Sequence, residues 1–174
     1  MKPLILLILG TAREGNESQK AFNYVRKQLE ARDDLELKTV ECAEYIHNKT
    51  IAPWQNDPII NPWKELVAKA SGFVIITPEY NHGYPGELKL LLDQEFNGYK
   101  GKAVLVGGVS DGMWGGTRVI EALVPVLRDF DMRIVRSDLH FPNIKQFNPE
   151  DEATDKLYSE LVKKSIDELL SKIG

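Results

Sequence analysis

Short, continuously apolar runs alternate along this chain with longer stretches in which apolar residues recur every third or fourth position. Residues 3–9 are apolar throughout, the pattern of a parallel strand covered on both faces. Residues 18–32 carry Ala21, Phe22, Val25 and Leu29 on one stripe, predicting a helix with Ser18 as its N-cap. Residues 35–40 alternate apolar and polar, reading as an edge strand with one exposed face. A short helix over 62–70 leads to a third strand around Phe73-Val74-Ile75-Ile76. Next comes a helix opened by Pro85-Gly86-Glu87, with Leu88, Leu91 and Leu92 at i, i+3, i+4 spacing. A fourth strand over 103–109 precedes a helix over 117–130 that contains Pro125, expected to kink it. A fifth strand over 132–139 and a last helix over 151–172 complete the pattern. Leu157, Leu161, Ile166, Leu169 and Leu170 are expected on one side of that helix. Residues 42–62, which include Pro53, Trp54, Asn56, Asp57, Pro58 and Pro62, form the one long irregular stretch, a functional loop or a lid.

Strand–helix alternation of this kind predicts an α/β fold with a doubly wound parallel sheet of five strands, helices on both faces. Strands one, three and four are the most apolar and belong in the middle, which gives the order 2-1-3-4-5. The switch point then falls between strands one and three, where open α/β sheets bind ligands. The loops meeting there span residues 10–18 and 78–85.

Composition adds exclusions. With 174 residues the chain reads as a single domain over 1–174, long enough to bury a core. At 43% hydrophobic and 28% charged residues, a folded soluble protein is expected rather than disorder. The net charge of −4 is spread along the chain, without the basic patch that nucleic acid requires. No apolar run approaches membrane length. The opening run over 4–9 is too short for a signal peptide and leads into Gly10 and Arg13 rather than a small-residue cleavage site. Cys42 is the single cysteine, so no intrachain disulfide or zinc–cysteine cluster can form, and the cytoplasm is the expected compartment. His47, His140 and Cys42 lack companions at metal-ligand spacing and are assigned structural roles. No metal is expected.

Polar chemistry is concentrated in three loops that follow strands. Loop one, Gly10-Thr11-Ala12-Arg13-Glu14-Gly15-Asn16-Glu17-Ser18, lies at a helix N-terminus whose N–H groups and dipole favour an anion. Thr11 and Ser18 add hydroxyls, and Arg13 can grip a phosphate through two parallel bonds. The loop is neither G-x-G-x-x-G nor GxxxxGK[ST], which argues against a dinucleotide fingerprint and a nucleoside triphosphate site. Glu14 and Glu17 would weaken phosphate binding unless they point outward. Loop two carries Pro78, Glu79, Tyr80, Asn81, His82 and Gly83, more polar chemistry than a connection needs. Tyr80 could instead pack in the core with its hydroxyl satisfied, and His82 is read as solvent-facing or at an interface. Loop three, residues 110–117, is glycine-rich, with Ser110, Gly112 and Gly115 able to let a planar ring approach the backbone. Trp114 could stack on a ligand or a partner, or cover the core. Met113, Trp54 and Trp63 are read as packing residues.

The stretch PEYNHGYPGELK, residues 78–89, resembles the PEYN-x-(S/G)-x-PG-x-LK signature of the NAD(P)H-dependent FMN reductases, a flavodoxin-like family that includes quinone, azo-dye and chromate reductases. Looser resemblance covers almost the whole chain. Loop one is similar to that family's G-(S/T)-x-R-x-x-S loop, with Asn16 where relatives often have Ser or Arg. The resemblance implies that Thr11, Arg13, Asn16 and Ser18 hold the FMN phosphate. It also implies that Pro78, Glu79, Tyr80, Asn81 and Gly83 lie along the isoalloxazine, and that Ser110, Gly112 and Gly115 border the flavin and the nicotinamide. NADPH or NADH would then give hydride to flavin N5, and a quinone, free flavin, azo compound or similar small molecule would take the electrons in turn. Hydride transfer needs no protein acid or base, so no catalytic side chain is expected. A flavodoxin-type electron carrier, binding FMN without oxidising pyridine nucleotide, is the alternative. Family members are commonly homodimers or homotetramers with the helix after loop two at the interface. Leucines at 88, 90, 91 and 92 suit burial there as well as in the core.

Overall fold

The first strand shows why its sequence is apolar without interruption. In the computed structural model, which describes residues 1–47 and 49–173, β1 (Leu4–Leu9) lies between β2 (Glu36–Glu41) and β3 (Gly72–Pro78), parallel to both. Ile5, Leu7 and Leu9 face one layer of helices, α1 (Ser18–Glu30) and α5 (Glu152–Ser171), while Leu6 and Ile8 face the other. That second layer contains α2 (Asn61–Lys69), α3 (Gly86–Leu92) and α4 (Thr117–Asp129). β3 and β4 (Ala103–Val109) are buried along their whole lengths for the same reason. The sheet order is β2-β1-β3-β4-β5, as the distribution of apolar strands predicts. This is the flavodoxin-like arrangement.

Differences from the sequence reading have local causes. The expected fifth strand over 132–139 is split into β5 (Arg133–Ile134) and β6 (Leu139–Phe141), both parallel partners of β4. Between them the N–H groups of Arg136 and Ser137 donate to the Glu168 carboxylate of α5, at 2.8 and 3.0 Å, instead of joining the ladder. That sixth strand is extra. α4 continues as helix through Pro125, an exposed position where the missing hydrogen bond falls on the solvent side. The inward face of α5 is Tyr158, Val162, Ser165, Ile166 and Leu169, whereas Leu157 and Leu161 are exposed. Tyr158 takes the inward position by stacking on Phe141, with ring centroids 5.2 Å apart. Trp63 packs as expected, fully buried, its indole N–H donating to Tyr99 Oη at 2.9 Å. The irregular stretch over 42–62 includes residue 48, which lies outside the described residues.

Candidate active site

Three loops meet beyond the carboxyl ends of β1, β3 and β4, each tied to a neighbouring strand. Gly10 N–H donates to Ile76 O at 2.8 Å, Glu79 N–H to Val109 O at 2.8 Å, and Ser110 N–H to Phe141 O at 3.1 Å. The bases of loops one, two and three therefore stay in register with the sheet. The contribution of Phe141 depends on the strand that sequence reading did not separate.

Loop one is organised by Thr11, which is buried. Its Oγ1 donates to Glu87 Oε1 at 3.1 Å, accepts from Arg13 N–H at 3.2 Å, and lies 3.1 Å from Tyr80 Oη. Ala12 N–H donates to the same carboxylate oxygen, also at 3.1 Å. Loop one thus already holds an anion, supplied by the first turn of α3. Asn16 braces the loop from within: Nδ2 donates to Arg13 O at 2.9 Å and Oδ1 accepts from Gln19 N–H at 3.0 Å. This makes Asn16 the side chain that caps the first turn of α1. Ser18, expected as the cap, is instead the first residue of the helix and is buried. Glu14 is exposed, and Glu17 pairs with Lys20 at 2.7 Å, which offsets its charge near the loop.

Loop two closes with a tight turn. Tyr80 N–H donates to Gly83 O at 2.9 Å and Gly83 N–H returns to Tyr80 O at 3.0 Å. Between them Asn81 (φ 51°) and His82 (φ 67°) are both left-handed, the arrangement of a type I′ turn. Asn tolerates this geometry well; His carries the larger steric cost, about 1 kcal/mol for a left-handed L-residue. Both residues are exposed at the tip, His82 facing solvent as the sequence reading has it. Pro78 is buried at the end of β3. The Tyr80 ring is half-buried and carries the Arg13 guanidinium over its face, 3.7 Å from the centroid, so the two loops are joined by a cation–π contact. The Glu79 side chain is only 9% exposed and turns toward α4. Its carboxylate accepts from Arg118 N–H at 3.2 Å and lies 3.6 Å from the Arg118 guanidinium, favourable charge at a helix N-terminus.

Loop three folds back on its own strand. Ser110 Oγ donates to Gly112 O at 3.0 Å and accepts from Gly116 N–H at 3.2 Å. Gly116 has φ 76°, and a Cβ there would sit 2.5 Å from Gly108 C and from Val109 N. Gly115 is buried, with φ 57°, against His140 and Pro142. These two glycines serve the packing of the loop, while Gly112 is exposed with open space around its Cα. Met113 and Trp114 project outward, 73% and 60% exposed, and neither fills the core. Trp54, at 84% exposed, is not a packing residue either. Asp138 lies beside His140 and holds its imidazole pKa above the ordinary value, with burial opposing.

Three participants were invisible in the sequence. Glu87 reaches loop one across 75 residues, Arg118 reaches loop two, and Phe141 anchors loop three. Glu87 stands at one of the three variable positions of the residue 78–89 signature, where spacing alone assigns it nothing. Burial pushes the Cys42 thiol up to about 12, with the Glu87 and Glu41 charges adding to the effect, so Cys42 is unreactive at neutral pH. A concavity on the helix-covered flank between α1 and α5 has its Arg32 already held by Asp34 and Asp167, at 2.6 and 2.7 Å. The unusual chemistry is at the strand ends.

Known proteins align with this arrangement. An NAD(P)H-dependent FMN reductase of Saccharomyces cerevisiae is 26% identical over 146 residues, covering 74% of this chain and 75% of its own. A namesake from Schizosaccharomyces pombe is 28% identical over 142 residues, covering 76% and 69%. Among solved structures, FerB, a flavoenzyme NAD(P)H:(acceptor) oxidoreductase from Paracoccus denitrificans, shares the fold, with a TM-score of 0.82, 21% identity and 98% of each chain covered. The family model described as NADPH-dependent FMN reductase matches residues 3–146, which takes in all three loops and every strand, and the chain belongs to that family.

Proposed function

We propose that loops one, two and three form one FMN site within a single flavodoxin-like domain over residues 1–174, and that electrons leave it for a quinone, free flavin, azo compound or similar small molecule. Family membership makes the protein an oxidoreductase that uses FMN and a reduced pyridine nucleotide. The observation that carries the site assignment is that loop one holds a carboxylate through the Thr11 hydroxyl and the Ala12 N–H, the donor types a phosphate ester requires. When bound, FMN supplies the redox chemistry, taking hydride from NADPH or NADH and returning two electrons to the acceptor.

The protein's part is binding and orientation. Arg13 presents its guanidinium at the junction of loops one and two, where its donors remain at the edge of the stacked plane. Asn16 and the start of α1 at Ser18 keep the anion loop in shape. Pro78, Glu79, Tyr80, Asn81 and Gly83 would line the flavin ring with their backbone. The N–H groups of Glu79, Tyr80 and Gly83 are committed within the protein and the Glu79 side chain is engaged by Arg118, so loop two would meet the ring through the Glu79 carbonyl and the tip of the turn at Asn81. Ser110 and Gly112 would border the same space from loop three, with Gly115 behind them packing the loop against His140 and Pro142. The hydride transfer that bound FMN would supply would need no acid or base from the protein, whose residues would bind and orient.

A homodimer or homotetramer with α3 at the interface fits the exposure of Leu90, Phe96 and Trp54 near that helix. Light scattering on the eluting protein should return twice or four times the monomer mass; a monomer at micromolar concentration removes the interface. No described helix is long and apolar enough to cross a membrane. The cytoplasm is the compartment we assign, on the single, buried Cys42.

The deciding experiment is the visible spectrum of purified protein mixed with FMN, desalted, and then treated with NADPH or NADH without oxygen. A retained flavin spectrum that bleaches on addition is expected. Flavin retained without bleaching by either nucleotide would make the chain an electron carrier. Binding too weak to detect even by titration would remove the loop assignment.

A further inference from the structure

The Thr11 hydroxyl has a single proton, and it is donated in a hydrogen bond to Glu87. A carboxylate at neutral pH only accepts, so the Thr11 hydroxyl donates to Glu87 Oε1 at 3.1 Å. Tyr80 Oη, 3.1 Å from Thr11 Oγ1, must then be the donor in that pair, and the Arg13 N–H at 3.2 Å takes the remaining lone pair. The hydroxyl has no capacity left. The Ala12 N–H is committed to the same carboxylate oxygen. Both donors of loop one that hold an anion are therefore spent on one supplied by the protein itself.

A phosphate ester arriving at this loop meets two obstacles. It can take the Thr11 proton or the Ala12 N–H only after Glu87 has let go. If it settles on Arg13 and the start of α1 instead, a fixed like charge stays on the same short loop and weakens its binding. An unphosphorylated flavin faces neither obstacle. Glu87 is also well supported where it is: it lies in the first turn of α3, where the helix dipole favours negative charge.

We infer that Glu87 determines how tightly the protein holds the phosphate of its flavin. It acts as a built-in anion that competes for loop one, narrows the preference for FMN over riboflavin, and leaves FMN exchangeable, able to enter and leave as a substrate does. The inference rests on loop one being the flavin phosphate site.

The test is titration of apo wild type, Glu87→Gln and Glu87→Asp with FMN and separately with riboflavin, followed by quenching of flavin fluorescence. The carboxamide of Glu87→Gln can still accept from Thr11 and Ala12 but carries no charge, so FMN should bind about tenfold tighter while riboflavin changes by no more than about twofold. Glu87→Asp, which draws the carboxylate back by one methylene, should tighten FMN in the same direction by less. Unchanged or weaker FMN binding in Glu87→Gln overturns the competition, as does equal tightening for riboflavin. Wild type needs no substitution to report: the Ala12 amide resonance should move when FMN binds and stay near its apo position with riboflavin. Identical shifts with the two flavins overturn the inference even if the variants fail to fold. Failure of wild type to bind FMN at any concentration is a different result, since it removes the site assignment itself.

Discussion

Arg13→Ala should weaken FMN binding roughly 10- to 100-fold, the usual worth of a charge-assisted, two-pronged grip on a phosphate. Riboflavin binding should fall much less, because the lost partner faces the phosphate rather than the ring. Arg13 is exposed and makes its one aromatic contact with Tyr80, so the thermal midpoint should stay within about 1–2 °C of wild type. Arg13→Lys should recover only part of the affinity: a lysine keeps the charge but neither the planar fork nor the stacking on Tyr80. Fluorescence titration with both flavins checks each point. Unchanged FMN affinity in Arg13→Ala would take loop one out of the site.

The largest effect on stability belongs to Gly116→Ala. A methyl group there would lie 2.5 Å from backbone atoms of Gly108 and Val109, and the residue would have to hold φ 76°. Neither neighbour can rotate away, since both belong to β4 in the middle of the sheet. Overpacking plus left-handed backbone should cost about 3–4 kcal/mol together. For a chain of this length that lowers the thermal midpoint by about 6–16 °C. Gly112→Ala, four residues away in open space, should stay within about 0.5 kcal/mol of wild type. Circular dichroism melts of the two variants separate a general loop effect from the clash. Equal midpoints would mean that loop three does not pack against β4 as described.

Most of the fold was legible because it rests on local repetition. Strand 103–109 was read to the residue, since its apolar run ends at Ser110-Asp111-Gly112 and nothing distant edits it. The order 2-1-3-4-5 followed from which strands were apolar on both faces. The fifth strand was misread because its interruption depends on Glu168 capturing two N–H groups from across α5. The stripe on α5 was misread because aromatic stacking, not leucine spacing, decides which residues face inward. In the site, Thr11 pointed to a loop with donors for an anion, and it holds the Glu87 carboxylate, whereas the Arg13 guanidinium lies over Tyr80. The loop's present occupant was not legible, because Glu87 sits on another helix and no periodicity links positions 12 and 87. Exposure was the least readable property: Trp54 and Met113 look like core residues by type, and only the fold leaves them outside.

The split between β5 and β6 also bears on how the protein behaves at high concentration. A sheet edge with a long row of free N–H and C=O groups is a template on which other chains can add strands. Here one edge is broken into segments of two and three residues, and two of the intervening N–H groups, those of Arg136 and Ser137, are taken by Glu168. The opposite edge, β2, carries Glu36, Lys38 and Glu41 within six residues. Strand-on-strand aggregation is disfavoured at both sides of the sheet, by interruption at one and by charge at the other.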